Sequence, residues 1–179
     1  MRPVVLDTNV ALVAVGGFEA DGGLPTKRLK LWCVDQLADI MEGRVKIAID
    51  DARELFSEYA RKLPDYPLGE QFIYWLNQNI WREDGVEFAQ IHKTANGYQE
   101  FPIDDDLREF DAADQKFIAV AVAHPKKPSV MEATDGKWWK WSFALKRHGI
   151  HVKFGDSDFI KGLCKKKHMC QGKCEECGG

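Results

Sequence analysis

Two patterns of hydrophobic residues alternate along the chain, one typical of buried strands and one typical of amphipathic helices. Short apolar runs such as "VKIAID" (45–50) predict buried strands, and apolar residues that recur every three or four positions predict helices between them. Strands separated by helices of this length predict an α/β fold with a parallel sheet covered on both faces. The predicted strands are 3–6, 45–50, 129–133 and 150–154, and the predicted helices are 8–15, 29–40, 52–63, 68–81, 111–123 and 137–148.

Two stretches lack these patterns. Residues 83–109 are acidic and interrupted by Gly and Pro, so they predict connecting segments with room for one short element. Residues 161–179, "KGLCKKKHMCQGKCEECGG", carry too few apolar side chains to build a core, so they are disordered or are ordered by something else. We therefore predict a globular domain over residues 1–155 and a Cys-rich tail over residues 156–179.

Composition narrows the class of protein. The 179 residues suit one ordinary domain, and 45% hydrophobic with 30% charged residues is typical of a globular protein. A net charge of −3 does not indicate a nucleic-acid binder, although a nuclease need not be basic overall. No apolar run approaches the roughly 20 residues that span a bilayer, and the N-terminus does not resemble an export signal. These features predict a cytoplasmic protein without a membrane partner.

Acidic residues stand at the predicted strand ends and helix starts. In parallel sheets these positions meet at one edge, where sites form. Carboxylates converging there would repel one another unless a cation lay between them, and oxygen ligands of high charge favour Mg²⁺ or Mn²⁺. Such ions activate water and stabilise a pentacovalent phosphate. The acids are Asp7, Glu54, Glu58, Asp111, Asp114 and Asp135.

Four motifs in order, "VVLDTN", "ELFSEY", "FDAADQKFIAVA" and "ATDGKW", resemble those of the PIN-domain ribonucleases over roughly residues 3–154. The resemblance implies a three-layer α/β/α sandwich, three or four acids that bind Mg²⁺ or Mn²⁺, and hydrolysis of single-stranded RNA. It also suggests a homodimer. A toxin restrained by a partner protein, an RNA-processing enzyme and a defence nuclease all fit, and structured RNA remains an alternative substrate.

Position by position, the resemblance makes Asp7, Asp114 and Asp135 the first, third and fourth acids of the catalytic metal site. Asn9 matches the polar residue that accompanies the first acid. For the second acid, the "EY" of the second motif favours Glu58, with Glu54 as the alternative, and Asp111 is an alternate for the third. The chain departs from the family where Gly136 and a tryptophan cluster follow the fourth acid, and in its cysteine tail.

Each acid also has a plain structural interpretation. Asp7 and Asp111 could be helix N-caps, Glu54 and Glu58 could belong to a solvated helix face, and Asp135 could be a turn residue. A non-catalytic binding module on the same scaffold is therefore the alternative function. A phosphatase is disfavoured because Asp7 is followed by Thr8 and Asn9 instead of a DxD pair, and the NTPase and serine hydrolase loop motifs are absent from the sequence.

Basic and aromatic residues interleave beside Asp135 in "KWWKW" (137–141). Trp139 is the candidate for stacking on an unpaired base, with Lys137 and Lys140 as phosphate contacts, whereas Trp138 and Trp141 are expected to pack a helix onto the sheet.

The tail predicts a second metal site. Four cysteines spaced by five, three and two residues could hold one tetrahedral Zn²⁺, which would supply the folding energy that this segment lacks. Its lysines could then contact RNA phosphates. The alternative is a flexible basic tail with incidental cysteines. The predicted ligands are Cys164, Cys170, Cys174 and Cys177, and the predicted RNA contacts are Lys165, Lys166 and Lys167.

Overall fold

The computed structural model of the protein describes residues 2–17, 24–82 and 85–166. Strands and helices alternate through most of this part of the chain, with a small hairpin and a 3₁₀ turn, Asp105–Leu107, inserted before the fifth helix. The strands are β1 Val4–Leu6, β2 Ile47–Asp50, β3 Val86–Ala89, β4 Lys93–Thr94, β5 Gly97–Tyr98, β6 Ser129–Glu132 and β7 Val152–Phe154. The helices are α1 Thr8–Val15, α2 Lys27–Met41, α3 Glu54–Lys62, α4 Pro67–Asn79, α5 Gln115–Ala123, α6 Lys137–Arg147 and α7 Ser157–Lys166.

Five strands form one all-parallel sheet in the order β3-β2-β1-β6-β7. The strand order runs one way from β1 to β3 and the opposite way from β1 to β7. Because crossovers between parallel strands are right-handed, helices α1 to α4 lie on one face of the sheet and α5 and α6 on the other. The predicted α/β fold with a parallel sheet covered on both faces is confirmed, and it fits a three-layer sandwich.

The strand order reverses between β1 and β6, which are direct neighbours. Their register pairs Leu6 with Met131, and the backbone N–H of Asp7 donates to the Met131 carbonyl at 3.0 Å. A crevice forms beyond the carboxyl ends of the strands at such a reversal, and it is the usual ligand site of open α/β sheets. The fold therefore places the residues that follow β1 and β6 at the position where a ligand is expected.

The third strand, β3, lies within residues 83–109, where no regular spacing of apolar residues is evident. It is the edge strand beside β2, where Val86 and Ala89 are buried while Phe88 is 39% exposed. An edge strand has one unpaired side and a partly solvated surface, which blurs the alternation of apolar and polar residues. Residues 83–109 thus hold more structure than the one short element that was expected.

Helix α5 starts four residues later than predicted. The stretch before it forms a turn in which the Asp111 carboxylate accepts from the backbone N–H of Ala113 at 3.0 Å. Asp114 then occupies the N-cap position, yet its side chain makes no capping hydrogen bond. The apolar helix pattern begins only at Phe117. The prediction places Asp111 and Asp114 in the first turn of the helix, so the predicted helix starts too early.

Part of the predicted tail belongs to the folded domain. Helix α7 packs on α6 and buries Ile160, Leu163 and Cys164. Residues 161–166 of the predicted tail are thus ordered in this helix, with Leu163 and Cys164 on its buried face. Among the described residues, no helix is long and apolar enough to cross a membrane.

Gly136 determines how closely α7 approaches the loop that carries Asp135. A Cβ atom at this position would lie 2.7 Å from the Cys164 backbone nitrogen and 2.9 Å from the Leu163 Cβ. We expect Gly136→Ala to lower the free energy of unfolding by about 1–3 kcal/mol, because backbone has to move. Gly162→Ala within α7 is the control. A Cβ there meets no atom within 4 Å, so stability should stay the same or rise slightly in urea denaturation.

Candidate active site

Asp7 begins the site at the carboxyl end of β1. Its side chain is 3% exposed, and one carboxylate oxygen caps helix α1 by accepting from the Asn9 backbone N–H at 2.8 Å. Burial raises the pKa of Asp7 well above its ordinary range, and repulsion from Glu132 and Asp114 raises it further. Asp7 is thus the N-cap that the sequence allowed and also a member of a group of acids.

Glu132 is the acid that the sequence analysis missed. It ends β6, next to Asp7 across the reversal of strand order, and its side chain is fully buried. One carboxylate oxygen accepts from the backbone N–H groups of Thr134 at 2.7 Å and Asp135 at 2.8 Å, and the carboxyl groups of Glu132 and Asp7 lie close enough to share a hydrogen bond through one proton. Burial raises the pKa of this carboxyl group, and Asp135 adds repulsion. Two buried carboxyl groups in contact require a proton or a cation between them.

Asp114 enters the same site from the start of α5. It is half-buried, and burial followed by repulsion from Asp111 and Asp135 raises its pKa to about 6. Asp135 follows β6, and its Oδ1 accepts from the Lys137 backbone N–H at 3.0 Å, as a turn residue would. The electrostatic repulsion that links Asp7, Glu132, Asp114 and Asp135 shows that the fold brings these four acids to one edge of the sheet.

These acids fit a hard divalent cation by their chemistry, since all the donors are carboxylate oxygens and two of the side chains, Asp7 and Glu132, are buried. Within the described ranges, however, no three His, Cys, Asp or Glu side chains are arranged so that they could hold one metal ion. Binding would require side-chain rotations, for which the half-buried Asp114 and Asp135 have room.

No family model, curated protein or solved structure matches this chain. Its function has to be inferred from the chemistry of these residues.

Glu58, the predicted second acid, lies beside the site but is already neutralised. Its Oε1 accepts from the Thr8 hydroxyl at 2.8 Å and from Lys62 at 2.6 Å, and its Oε2 is 2.5 Å from the Lys116 ammonium. Burial would raise the pKa of Glu58, but the hydrogen bonds from Lys116, Lys62 and Thr8 outweigh burial and hold it at about 2. The two lysines supply the positive charge that a metal would otherwise supply.

Glu54, the alternative second acid, contacts residues of the small hairpin formed by β4 and β5. Its Oε2 accepts from the Tyr98 hydroxyl at 2.6 Å and lies 3.2 Å from Lys93. Burial alone would raise the pKa of Glu54, but the hydrogen bonds from Tyr98 and Lys93 outweigh it and lower the pKa. The structure therefore places Glu58, and not Glu54, against Thr8 and the first strand.

Asp50 is a buried acid with a purely structural position. It ends β2 and is fully buried, and its two oxygens accept from the backbone N–H groups of Glu54 at 2.7 Å and Leu55 at 2.9 Å. These bonds satisfy the first turn of α3. Asp50 thus shows how an acid at a strand end looks when it serves the fold alone, in contrast to Glu132.

The predicted stacking surface at residues 137–141 is mostly packed. Trp138 and Trp141 are buried, as expected. Trp139 is only half-exposed and contacts Phe143 and Phe154, with the Lys161 ammonium 4.8 Å from its ring centroid.

The Trp139 ring is therefore not the open platform that the sequence suggested, because α6 and β7 cover it. Lys140 is exposed, 3.5 Å from Glu109, and Lys137 is half-exposed.

The cysteine tail is described only in part. Cys164 is buried in α7. Lys165 and Lys166 are exposed at the end of α7. The remaining predicted residues lie outside the described part of the chain, and they are Lys167, Cys170, Cys174 and Cys177.

Proposed function

We propose that the protein is a metal-dependent nuclease that hydrolyses phosphodiester bonds of single-stranded RNA, in the manner of the PIN-domain ribonucleases that its motifs resemble. The observation that carries the proposal is the pair of buried acids, Asp7 and Glu132, whose carboxyl groups lie together at the reversal of strand order. Burying two adjacent acids destabilises the folded state relative to apolar residues at the same positions. Their presence therefore indicates a function.

The proposed ligands of Mg²⁺ or Mn²⁺ are Asp7, Asp114, Asp135 and Glu132, which adds one acid to the set drawn from the sequence. The bound ion would lower the pKa of a water molecule and neutralise the phosphate. Asp7 and Glu132, fixed by backbone hydrogen bonds, would hold the rigid side of the site, and the half-buried Asp114 and Asp135 would close on the ion. In the reaction, water oxygen adds to phosphorus, the bond from phosphorus to a ribose oxygen breaks, and a proton reaches that leaving oxygen.

Glu58 takes a different role in this proposal from the one expected of the second acid. Held between Thr8, Lys62 and Lys116, it positions the buried Lys116 ammonium near the acids. Zinc binding by the four tail cysteines, a partner protein that restrains or activates the enzyme, and a homodimer stay predictions.

The alternative is a binding module that cuts nothing. The observation in its favour is Lys116, whose ammonium supplies a built-in cation beside the site. In that case the acids would need no metal for their stability.

A thermal-shift experiment separates these functions. For the nuclease, saturating Mn²⁺ at 100 times its Kd should raise the Tm by about 5–10 °C and EDTA should reverse the rise. Glu132→Gln should lose most of the rise and at least about tenfold of the cleavage of a fluorescent single-stranded RNA.

Asp51→Asn is the control, because Asp51 is an exposed acid at the same edge of the sheet and should change neither measurement. Folded wild-type protein that shows neither a Mn²⁺ shift nor cleavage would reject the nuclease and leave the binding module.

A further inference from the structure

Trp81 and Arg53 form an exposed aromatic–cation pair on the surface. Trp81 follows α4 and is 78% exposed, and the Arg53 guanidinium carbon lies 4.5 Å from its ring centroid. A solvent-exposed indole is unusual, since tryptophan has the most to gain from burial. The pair has no evident role in packing, because so little of the ring is covered.

The backbone of Arg53 is in a conformation that arginine seldom adopts. Its φ is 61° and its ψ 31°, which is the left-handed region that favours Gly, Asn or Asp. It also occupies the N-cap position of α3 without making a side-chain capping bond. Gly or Asn would suit both the left-handed backbone conformation and the N-cap position better than Arg. An unfavourable residue at an unfavourable backbone position indicates that its side chain is used.

The pair lies at the same edge of the sheet as the acidic site, because Arg53 follows the carboxyl end of β2. Arg53 comes three residues after β2, and Glu58 is about 7.5 Å further along α3, in hydrogen-bond contact with Thr8 beside Asp7. Lys93, whose side chain is 67% exposed, contacts Glu54 between these two ends. Among the described residues no carboxylate is within ion-pairing distance of Arg53, so its charge is available to an external anion.

We propose that Arg53 and Trp81 form a subsite for an unpaired nucleotide of the RNA substrate, a few nucleotides from the bond that is cut. The base stacks on the indole of Trp81, and the guanidinium donates to an adjacent phosphate. This inference rests on the proposed function. A ring that stacks on any base, combined with a planar donor fork that matches phosphate, fits single-stranded nucleic acid better than a protein partner.

Binding without cleavage tests the subsite directly. The probe is a 5′-fluorescein-labelled 12-nucleotide oligouridine in EDTA, with fluorescence anisotropy as the readout. Trp81→Ala should raise the Kd at least about fivefold, whereas Trp81→Phe should retain most of the affinity, because the phenyl ring still stacks. Tyr74→Ala is the matched control, since Tyr74 on α4 is an aromatic residue that is 66% exposed and should change the Kd less than twofold.

Arg53→Gly separates the charge from the backbone, because glycine accepts the left-handed conformation and leaves the start of α3 intact. It should reduce the slope of log Kd against log salt by about 0.7, the value for one phosphate contact on a single strand. With a dinucleotide substrate and Mn²⁺, Trp81→Ala should cleave like wild type, because the dinucleotide is too short to reach the subsite.

Two results would overturn the subsite. One is an unchanged Kd in Trp81→Ala, which would leave the pair as a protein-binding surface, and the other is an equal loss in Trp81→Ala and Tyr74→Ala. Failure of the proposed function looks different, because wild-type protein would then bind the oligouridine in a Trp81-dependent manner and still not cut it in Mn²⁺.

Discussion

The Asp7→Asn variant should lose at least about a hundredfold of the Mn²⁺-dependent RNA cleavage and yet unfold at a higher temperature than wild type in EDTA. The loss follows because asparagine is a poor ligand for a divalent cation in place of the proposed carboxylate. The gain follows because the substitution removes a buried charge that is repelled by Glu132 and Asp114. Asparagine can still accept from the Asn9 backbone N–H, so helix α1 keeps its cap.

The gain should depend on pH. The pKa of Asp7 is raised by folding, so the charged form costs stability once the pH rises above the ordinary value of 3.8. We therefore expect Asp7→Asn to raise the Tm in EDTA by about 3–8 °C at pH 8 and by less at pH 5. Asp7→Ser, which also caps the helix without a charge, should lose cleavage in the same way. Full cleavage by folded Asp7→Asn would remove Asp7 from the metal site.

The second large effect is expected at Glu58, in the opposite direction. Glu58→Gln should lower the free energy of unfolding by about 3 kcal/mol at pH 7, because its carboxylate pairs with two lysines and holds a pKa of about 2 against the ordinary 4.5. A folded-state pKa below the unfolded value gives stability that is complete above pH 4.5 and is lost as the pH falls toward 2. Urea denaturation from pH 7 to pH 2.5 measures this, and the variant should show a smaller loss.

Two variants test the cause of that effect. Glu58→Gln combined with Lys116→Met should recover much of the stability, because the single change leaves the buried ammonium unpaired. Glu70→Gln on the exposed face of α4 should have little effect. If Glu58→Gln were as stable as wild type in EDTA, Glu58 would be behaving as the unpaired metal ligand that the resemblance implies.

The sheet could be predicted from the sequence because its inner strands are buried on both faces. The runs that became β1, β2 and β6 are rich in apolar residues and buried at almost every position, and such runs stand out from the helices between them. Strand β3 was not predicted, because an edge strand is half solvated and its apolar pattern is weak. Helix α7 was not predicted, because its apolar face comprises only three buried residues.

From the sequence, only acids at predicted strand ends and helix starts could be selected as candidates for the site. Asp7, Asp114 and Asp135 were visible at strand ends and helix starts. Glu132 was not recognised because it lies within the predicted strand 129–133, although its place one residue beyond the partner of Leu6 could have revealed it once β1 and β6 were paired. The lysines around Glu58 could not be foreseen, because Lys116 comes from another helix and meets Glu58 only in three dimensions.

The first strand of the chain lies in the centre of the sheet, and its neighbour on one side is the sixth. During synthesis, Asp7 leaves the ribosome well before Glu132 and Asp135, which follow it by more than 120 residues. Until β6 docks, Asp7 has no companions on that side and the proposed metal site cannot assemble. If the protein cuts RNA as proposed, the growing chain gains that activity only after β6 has been made and has docked beside β1.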